Sequence, residues 1–465
     1  MENAFSKRNL KNYLAIFLGI TAAQGLGASF VSSFLSFTYT EYFAVPIAIV
    51  SVVLSIGVVV DGFSDFVMGI VIDRVKTRHG KIKHWFLWMA VPMALTTALL
   101  FTVPINSPTV FKVIWLFIIY NLFNTAVTAV RLPANTMPAV ISKNEKVRTI
   151  GGFMIAIAAT LCSMVTNAVT VPAIAFLGDG VAGYRNFAII LAILTLIFCL
   201  AAYFLTTEEK YTAQSDSTAV EHNHKGTNLT IWQQIKYLLK NKYWVISLGM
   251  TVPFNIGAGV IMGCAAYFCE FILHDLGFFG VYMTVIMIAT TIGTVFWMPF
   301  CQKLDARQLF VINAILGIIG YGMTAISLLV MENNTMVFLI GSFIVSFGDG
   351  INCDLSPTIT ARVVDYGEYI HHERQEGLCF SGKTVVQKVV SALCTAILGF
   401  ALAGAGYVSG YFPESAGTCL SIMLTVVPTV AYVLMLVSSC AFKLDRAKMD
   451  EINEELERRR QAASN

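Results

Sequence analysis

The pattern of apolar runs predicts an all-α membrane protein of about twelve spanning helices arranged as two six-helix bundles. Three observations lead there. Charged residues make up 13% of the 465 residues and hydrophobic ones 56%, for a mean hydropathy of +0.70; soluble domains carry about a quarter charged residues. The apolar residues gather into runs of about 20, the length a helix needs to cross a hydrocarbon core of about 30 Å. The longest polar interruption falls midway, leaving six runs on each side. In lipid every backbone amide needs an internal partner, which makes runs of this length helices. A membrane β-barrel would show short segments of alternating polarity instead.

In chain order the runs centre near residues 26, 57, 93, 122, 163 and 195, then 257, 290, 319, 350, 393 and 430. The expected parts are an N-terminal bundle over 1–206, a linker over 207–240, a C-terminal bundle over 241–442 and a tail over 443–465. The linker, with EEKYTAQSDSTAVEHNHKG, has the composition of a solvated tether, and the tail that of a short amphipathic helix. An even number of spans puts both termini on one side. Basic residues choose the side: they crowd the terminal arms and the loops after even-numbered spans, including Arg74, Lys76, Arg78, Lys81 and Lys83, while the opposite side carries little beyond Lys112 and Arg185. Both termini are therefore expected in the cytoplasm, with the chain in the cell (inner) membrane. The first run, from about Tyr13 to Phe37, is too long for a signal peptide core, so no cleaved signal is expected. The formal charge of +3 decides nothing, and the ten cysteines show no metal-ligand spacing. His371 and His372 are adjacent, point apart on a helix or strand, and read as surface residues.

An ionisable side chain at mid-bilayer depth costs about 2.5–3.5 kcal/mol or more on insertion scales, so each needs a reason. Span 2 carries Asp61 and Asp65 in VVVDGFSDFVMG, one helical turn apart on one face. Two carboxylates this close repel unless a cation or proton lies between them or a basic residue latches to them. Arg131 in span 4 stays charged. Its fork fits a carboxylate or sulfonate on a substrate, and equally an internal bond to Asp61, Asp349 or Asp354. Asp349 and Asp354 lie in SFGDGINCDLSPT of span 10, interrupted by Gly and Pro as cavity-lining helices are. Either acid fits a substrate hydroxyl or cationic group, or a role neutralising Arg131 or Lys388. In span 11, snorkelling accounts for Lys383, whereas Lys388 lies deeper and faces a cavity.

GIVIDRVKTRHGK, where span 2 meets the cytoplasm, resembles the signature loop of major facilitator transporters, with KLDARQ after span 8 as a worn counterpart. The resemblance implies a cytoplasmic gate in which Gly69 lets helices pack closely while Asp73 and Arg74 latch neighbours. More specifically, DGFSDFVMGIVIDRVKTRHGKIKHW (61–85) and VVDYGEYIHHERQEGLCFSGKTVVQK (363–388) resemble the glycoside–pentoside–hexuronide:cation symporter family, which includes the melibiose and glucuronide permeases. That resemblance places the coupling ion, Na⁺ or H⁺, on Asp61 and Asp65, which are the metal ligands if it is Na⁺. Ser64 and Thr128 fall on neighbouring oxygen ligands, and Lys388 on the residue linking cation and sugar sites. At the sugar site the chain departs from the melibiose-type pattern. Gly25 and Arg131 stand where acids hold sugar hydroxyls, Asn135 replaces a supporting tryptophan, Ala156 replaces an arginine, and Gln24 beside Gly25 offers hydrogen bonds.

The resulting expectation is a cation-coupled symporter of a glycoside or sugar acid working by alternating access. Its substrate is a small molecule, anionic if Arg131 binds it, and the substrate-binding candidates are Gln24, Arg131, Asn135, Asp349, Asp354 and Lys388. Two other functions stay open: a carrier of lipids or other amphiphiles, and a sensor built on a transporter fold. No cofactor and no nucleic-acid partner are expected; the partners are substrate and membrane lipids, and the chain acts as a monomer. Without a metal-binding histidine cluster, an activated nucleophile or a phosphate-binding glycine loop, an enzyme is not expected.

Overall fold

The structure is a computed structural model that describes residues 6–75, 82–141, 145–207, 238–331, 333–371 and 376–464. Most of the expected linker lies outside those residues, as does His372. Helix follows helix. The first span is α1 (Lys7–Ile20), a π turn (Thr21–Gly25) and α2 (Gly27–Glu41). Then come α3 (Ile47–Arg74), α4 (Lys83–Leu100), α5 (Thr109–Ile141), α6 (Glu145–Phe176) and α7 (Gly180–Leu205). The second half has α8 (Lys242–Tyr267), which runs into a π turn (Phe268–Ile272), then α9 (Phe278–Lys303), α10 (Ala306–Leu329), α11 (Thr335–His371), α12 (Glu376–Gly404) and α13 (Glu414–Ala441). Eleven of the twelve expected centres fall inside these elements, and the first, residue 26, falls at the bend between the π turn and α2. Among the described residues, eleven spans are long and apolar enough to cross a membrane. The twelfth, α4, is shorter at 18 residues and opens with Lys83 and His84, which lowers its mean hydropathy.

Chain breaks follow local chemistry. Pro46 caps α3 and Pro108 precedes α5, where proline's fixed φ and missing N–H cost a helix nothing. Asp305 and Gln308 of KLDARQ form a reciprocal capping box that starts α10. Many apolar side chains face outward, Phe63 with 70% and Val295 with 70% of their surface exposed, as lipid-facing residues do.

Two compact units emerge, and they do not follow the sequence halves. One comprises Met1–Ser215, Met262–Thr284 and Thr395–Cys419; the other comprises Asp216–Ile261, Val285–Cys394 and Leu420–Asn465. In the first unit, the C-terminal end of α2 meets the end of α8 and the segment after α12. The Tyr407 hydroxyl donates to Glu41, and Ser409 Oγ donates to the Glu41 carbonyl over 3.1 Å. Tyr267 Oη lies 2.8 Å from Thr40 Oγ1, while Phe271 stacks on Phe412 at 4.4 Å. Together these contacts form an aromatic plug among the three segments. Nearby Lys112 is buried and donates to the Phe43 carbonyl over 2.9 Å.

In the second unit α10 and α11 pack most closely. A Cβ on Gly320 would lie 2.5 Å from the Gly341 carbonyl oxygen, so the contact depends on bare backbones, as small-residue helix interfaces in membranes do. The tail forms a thirteenth long helix after these spans, α14 (Arg446–Ser464), docked on the second unit. Its Met449, Ile452 and Leu456 are buried, Arg446 donates to the Leu304 carbonyl over 3.0 Å, and Arg459 donates to the Tyr369 carbonyl over 3.0 Å.

Candidate functional site

Helices α3 and α5 meet at the two span 2 aspartates. Asp61 and Asp65 stand one turn apart on α3, and Thr128 of α5 reaches between them. Its Oγ1 lies 2.7 Å from Asp65 Oδ1 and 3.2 Å from Asp61 Oδ1. One turn further along α5, Arg131 places Nη2 2.9 Å and 3.1 Å from the two Asp65 oxygens. The internal partner of Arg131 is thus Asp65, and not Asp61 or Asp349 as the sequence alone allowed; the Asp354 side chain lies outside the described ones. The reason is register: the α5 stagger that sets Thr128 between both aspartates brings residue 131 level with the second. The pair is 29% and 22% exposed, so it borders water rather than lying in a dry core.

A cavity of about 210 Å³ opens beside this pair, lined in part by Asp61, Thr128, Arg131, Tyr120 and Asn124. The last two were absent from the expected site. Their signal was present, because Tyr120, Asn124, Thr128 and Arg131 recur every three or four residues along an otherwise apolar span. The guanidinium bonds through Nη2 alone, and Nε and Nη1 make no hydrogen bond among the described residues. Arg131 therefore borders both the carboxylates and the cavity, with donors to spare. Ser64 faces Thr125, Oγ to Oγ1 3.4 Å, one α5 turn away from Thr128.

The first span approaches from α6. A π turn inserts an extra residue and puts Gly25 against α6, a distortion frequent at functional sites. The Gly25 carbonyl accepts from Thr166 Oγ1 over 2.8 Å, and the Gln24 carbonyl lies 3.4 Å from Ser163 Oγ. A Cβ at residue 25 would stand 2.5 Å from the Cys162 Cβ, so an acid cannot occupy this position as α6 is placed. Gly25→Ala should lower stability by about 1–3 kcal/mol, the usual cost of overpacking. Thermal unfolding in detergent checks this, and adding Cys162→Gly should restore part of the loss.

Asn135 is exposed on α5. In the second unit Asp349 is buried and accepts from Tyr432 Oη over 2.5 Å, which replaces the expected pairing with Arg131 or Lys388. Asn313 lies beside it. Lys388 is half-buried on α12. Lys383 does not snorkel: it is buried, with Nζ 2.6 Å from Ser356 Oγ and 3.0 Å from Thr360 Oγ1, because three oxygens one turn apart on α11 satisfy its charge. A Cβ on Gly69 would meet nothing within 4 Å, so close packing does not call for glycine there. The side chains of Asp73 and Arg74 lie outside the described ones. No group of three or more metal-ligating side chains occurs among the described residues.

Comparison with known proteins adds to this geometry. The family described as MFS/sugar transport protein matches residues 16–446. The isoprimeverose transporter of Lactiplantibacillus pentosus is 26% identical over 438 residues, covering 91% of this chain and 87% of that protein. A glucuronide carrier protein homologue of Escherichia coli is 25% identical over 418 residues, covering 88% and 86%. Among solved structures, a bacterial homologue of the human lysosomal transporter Spinster, inward-facing and unoccupied, matches with a TM-score of 0.67 at 13% identity, covering 95% and 98%. That last likeness concerns the fold alone.

Proposed function

The chain belongs to the MFS/sugar transport protein family, and within it to the glycoside–pentoside–hexuronide:cation symporters, and from that premise we propose that it moves a sugar acid or acidic glycoside together with Na⁺ or H⁺. It is a multi-pass membrane transporter and not an enzyme. The observation that carries the finer reading is the α3–α5 cluster, where Asp61, Thr128 and Arg131 line one cavity and Asp65 is bonded to Thr128 and Arg131.

Each residue supplies a distinct part. Asp61 and Asp65 offer hard anionic oxygens suited to an alkali cation or a shared proton. Thr128, which bonds both, keeps them together on one side of α5. Arg131 offers the cavity unused donors whose fork fits a carboxylate or sulfonate. The likeness to a glucuronide carrier homologue supports an anionic sugar, while the isoprimeverose transporter is named for an uncharged one, so charge selectivity is the point to test. An anion on Arg131 without a cation would set three negative groups against one positive, which favours binding the cation first. Alternating access, cytoplasmic termini and a monomeric working unit complete the proposal, with the aromatic plug at Glu41 and Tyr407 on the far side from the cytoplasm.

The test is uptake of glycosides and sugar acids into vesicles carrying the purified protein, under imposed Na⁺ or proton gradients. Uptake of a sugar acid that follows one gradient supports the proposal. Uptake indifferent to both gradients, or restricted to lipids, sinks it.

A further inference from the structure

We infer that Arg131 is a tethered cation that competes with the coupling ion for Asp65, so that ion entry releases its guanidinium to the substrate. The inference rests on the symport reading above and adds the order of events at its site. The guanidinium already occupies the ground an alkali ion needs. Its Nη2 contacts both Asp65 oxygens, at 2.9 and 3.1 Å, and the same Oδ1 is held by Thr128 at 2.7 Å. A second positive charge brought to that carboxylate would lie within a few ångströms of the first and be repelled by it. The two cations are therefore antagonists.

The arrangement lets one displace the other. With the pair about a quarter exposed, the ion pair is screened and weak enough for a competing ion to break. Arg131 also lines the cavity, and its Nε and Nη1 make no hydrogen bond among the described residues. Turning the fork away from Asp65 gives it somewhere to go only when an anion is waiting there. Linkage then runs both ways: the ion frees Arg131 for the anion, and the anion draws Arg131 off Asp65 for the ion. Coupling thus arises within one site, through one side chain exchanged between two partners.

Titration calorimetry with NaCl or LiCl, at constant ionic strength and without any sugar, tests this. Against wild type, Arg131→Gln is expected to bind Na⁺ or Li⁺ at least about tenfold more tightly, the scale on which a neighbouring arginine changes carboxylate affinity for a positive charge. Arg131→Lys, which keeps the charge and loses the fork, should gain less, and it secures the comparison if the glutamine variant folds poorly. Asp65→Asn should remove the ion heat. Equal or weaker ion binding in Arg131→Gln, with Asp65→Asn still inactive, overturns the competition and leaves the cation site standing. Absence of Na⁺ and Li⁺ binding in every variant overturns both the inference and alkali-ion coupling.

Discussion

Asp65→Asn is expected to abolish cation-driven uptake, lowering the rate under an imposed gradient by about 100-fold while the protein still folds. Asparagine keeps the shape of the side chain and an oxygen that can accept from Thr128, where Oγ1 to Oδ1 is 2.7 Å. What it loses is the charge, and its amide puts an N–H donor in place of Oδ2, which now accepts from Arg131 Nη2 over 3.1 Å. Loss of one charged partner is worth about 1.5–3 kcal/mol, and leaving the other half-buried charge unpaired adds to it. A factor near 100 corresponds to about 2.7 kcal/mol. Gradient-driven uptake in vesicles, with detergent melting temperature as the control for folding, reads this out. Full activity in Asp65→Asn would remove the carboxylate from the coupling machinery.

The second large effect is on substrate charge. Arg131→Ala should raise the KM for a sugar acid by about 10- to 100-fold, because a charge-assisted, forked contact is worth about 1.5–3 kcal/mol. The matched uncharged glycoside should change little, since its hydroxyls gain no more from a guanidinium than from the other polar groups of the cavity, such as Tyr120 and Asn124. Paired KM values for an acid and its neutral analogue separate the two cases. If both rise together, Arg131 shapes the cavity without reading charge. The same residue is predicted to weaken anion binding and strengthen ion binding when removed, opposite signs that a purely structural role would not produce.

Much of the fold was legible in the sequence, because hydropathy is a property of consecutive residues and every expected span centre but the first, at the Leu26 bend, lies in a helix. The same windows miss a break that keeps helical backbone, so the π turn before Leu26 left no trace, and Gly25 was read as a lost acid rather than as a contact with Cys162. The span 2 aspartates were legible from their i, i+4 spacing. Partner choice was not. Whether Arg131 faces Asp61 or Asp65 depends on the rotation and stagger of α5 against α3, which no single span encodes. Lys383 and Lys388 illustrate the same limit. Depth along the sequence assigned the first to the interface, whereas Ser356 and Thr360 on a neighbouring helix hold it inside.

The central claim is that ion and substrate meet at one cluster and each improves the binding of the other. The most direct test is the dissociation constant of the transported sugar acid, measured on purified protein at zero and at saturating coupling ion. Coupled binding predicts tightening by about tenfold, matched by equal tightening of the ion when the sugar acid is present, with both gains lost in Asp65→Asn. An affinity that stays the same with and without Na⁺, Li⁺ or a change in proton concentration would contradict it.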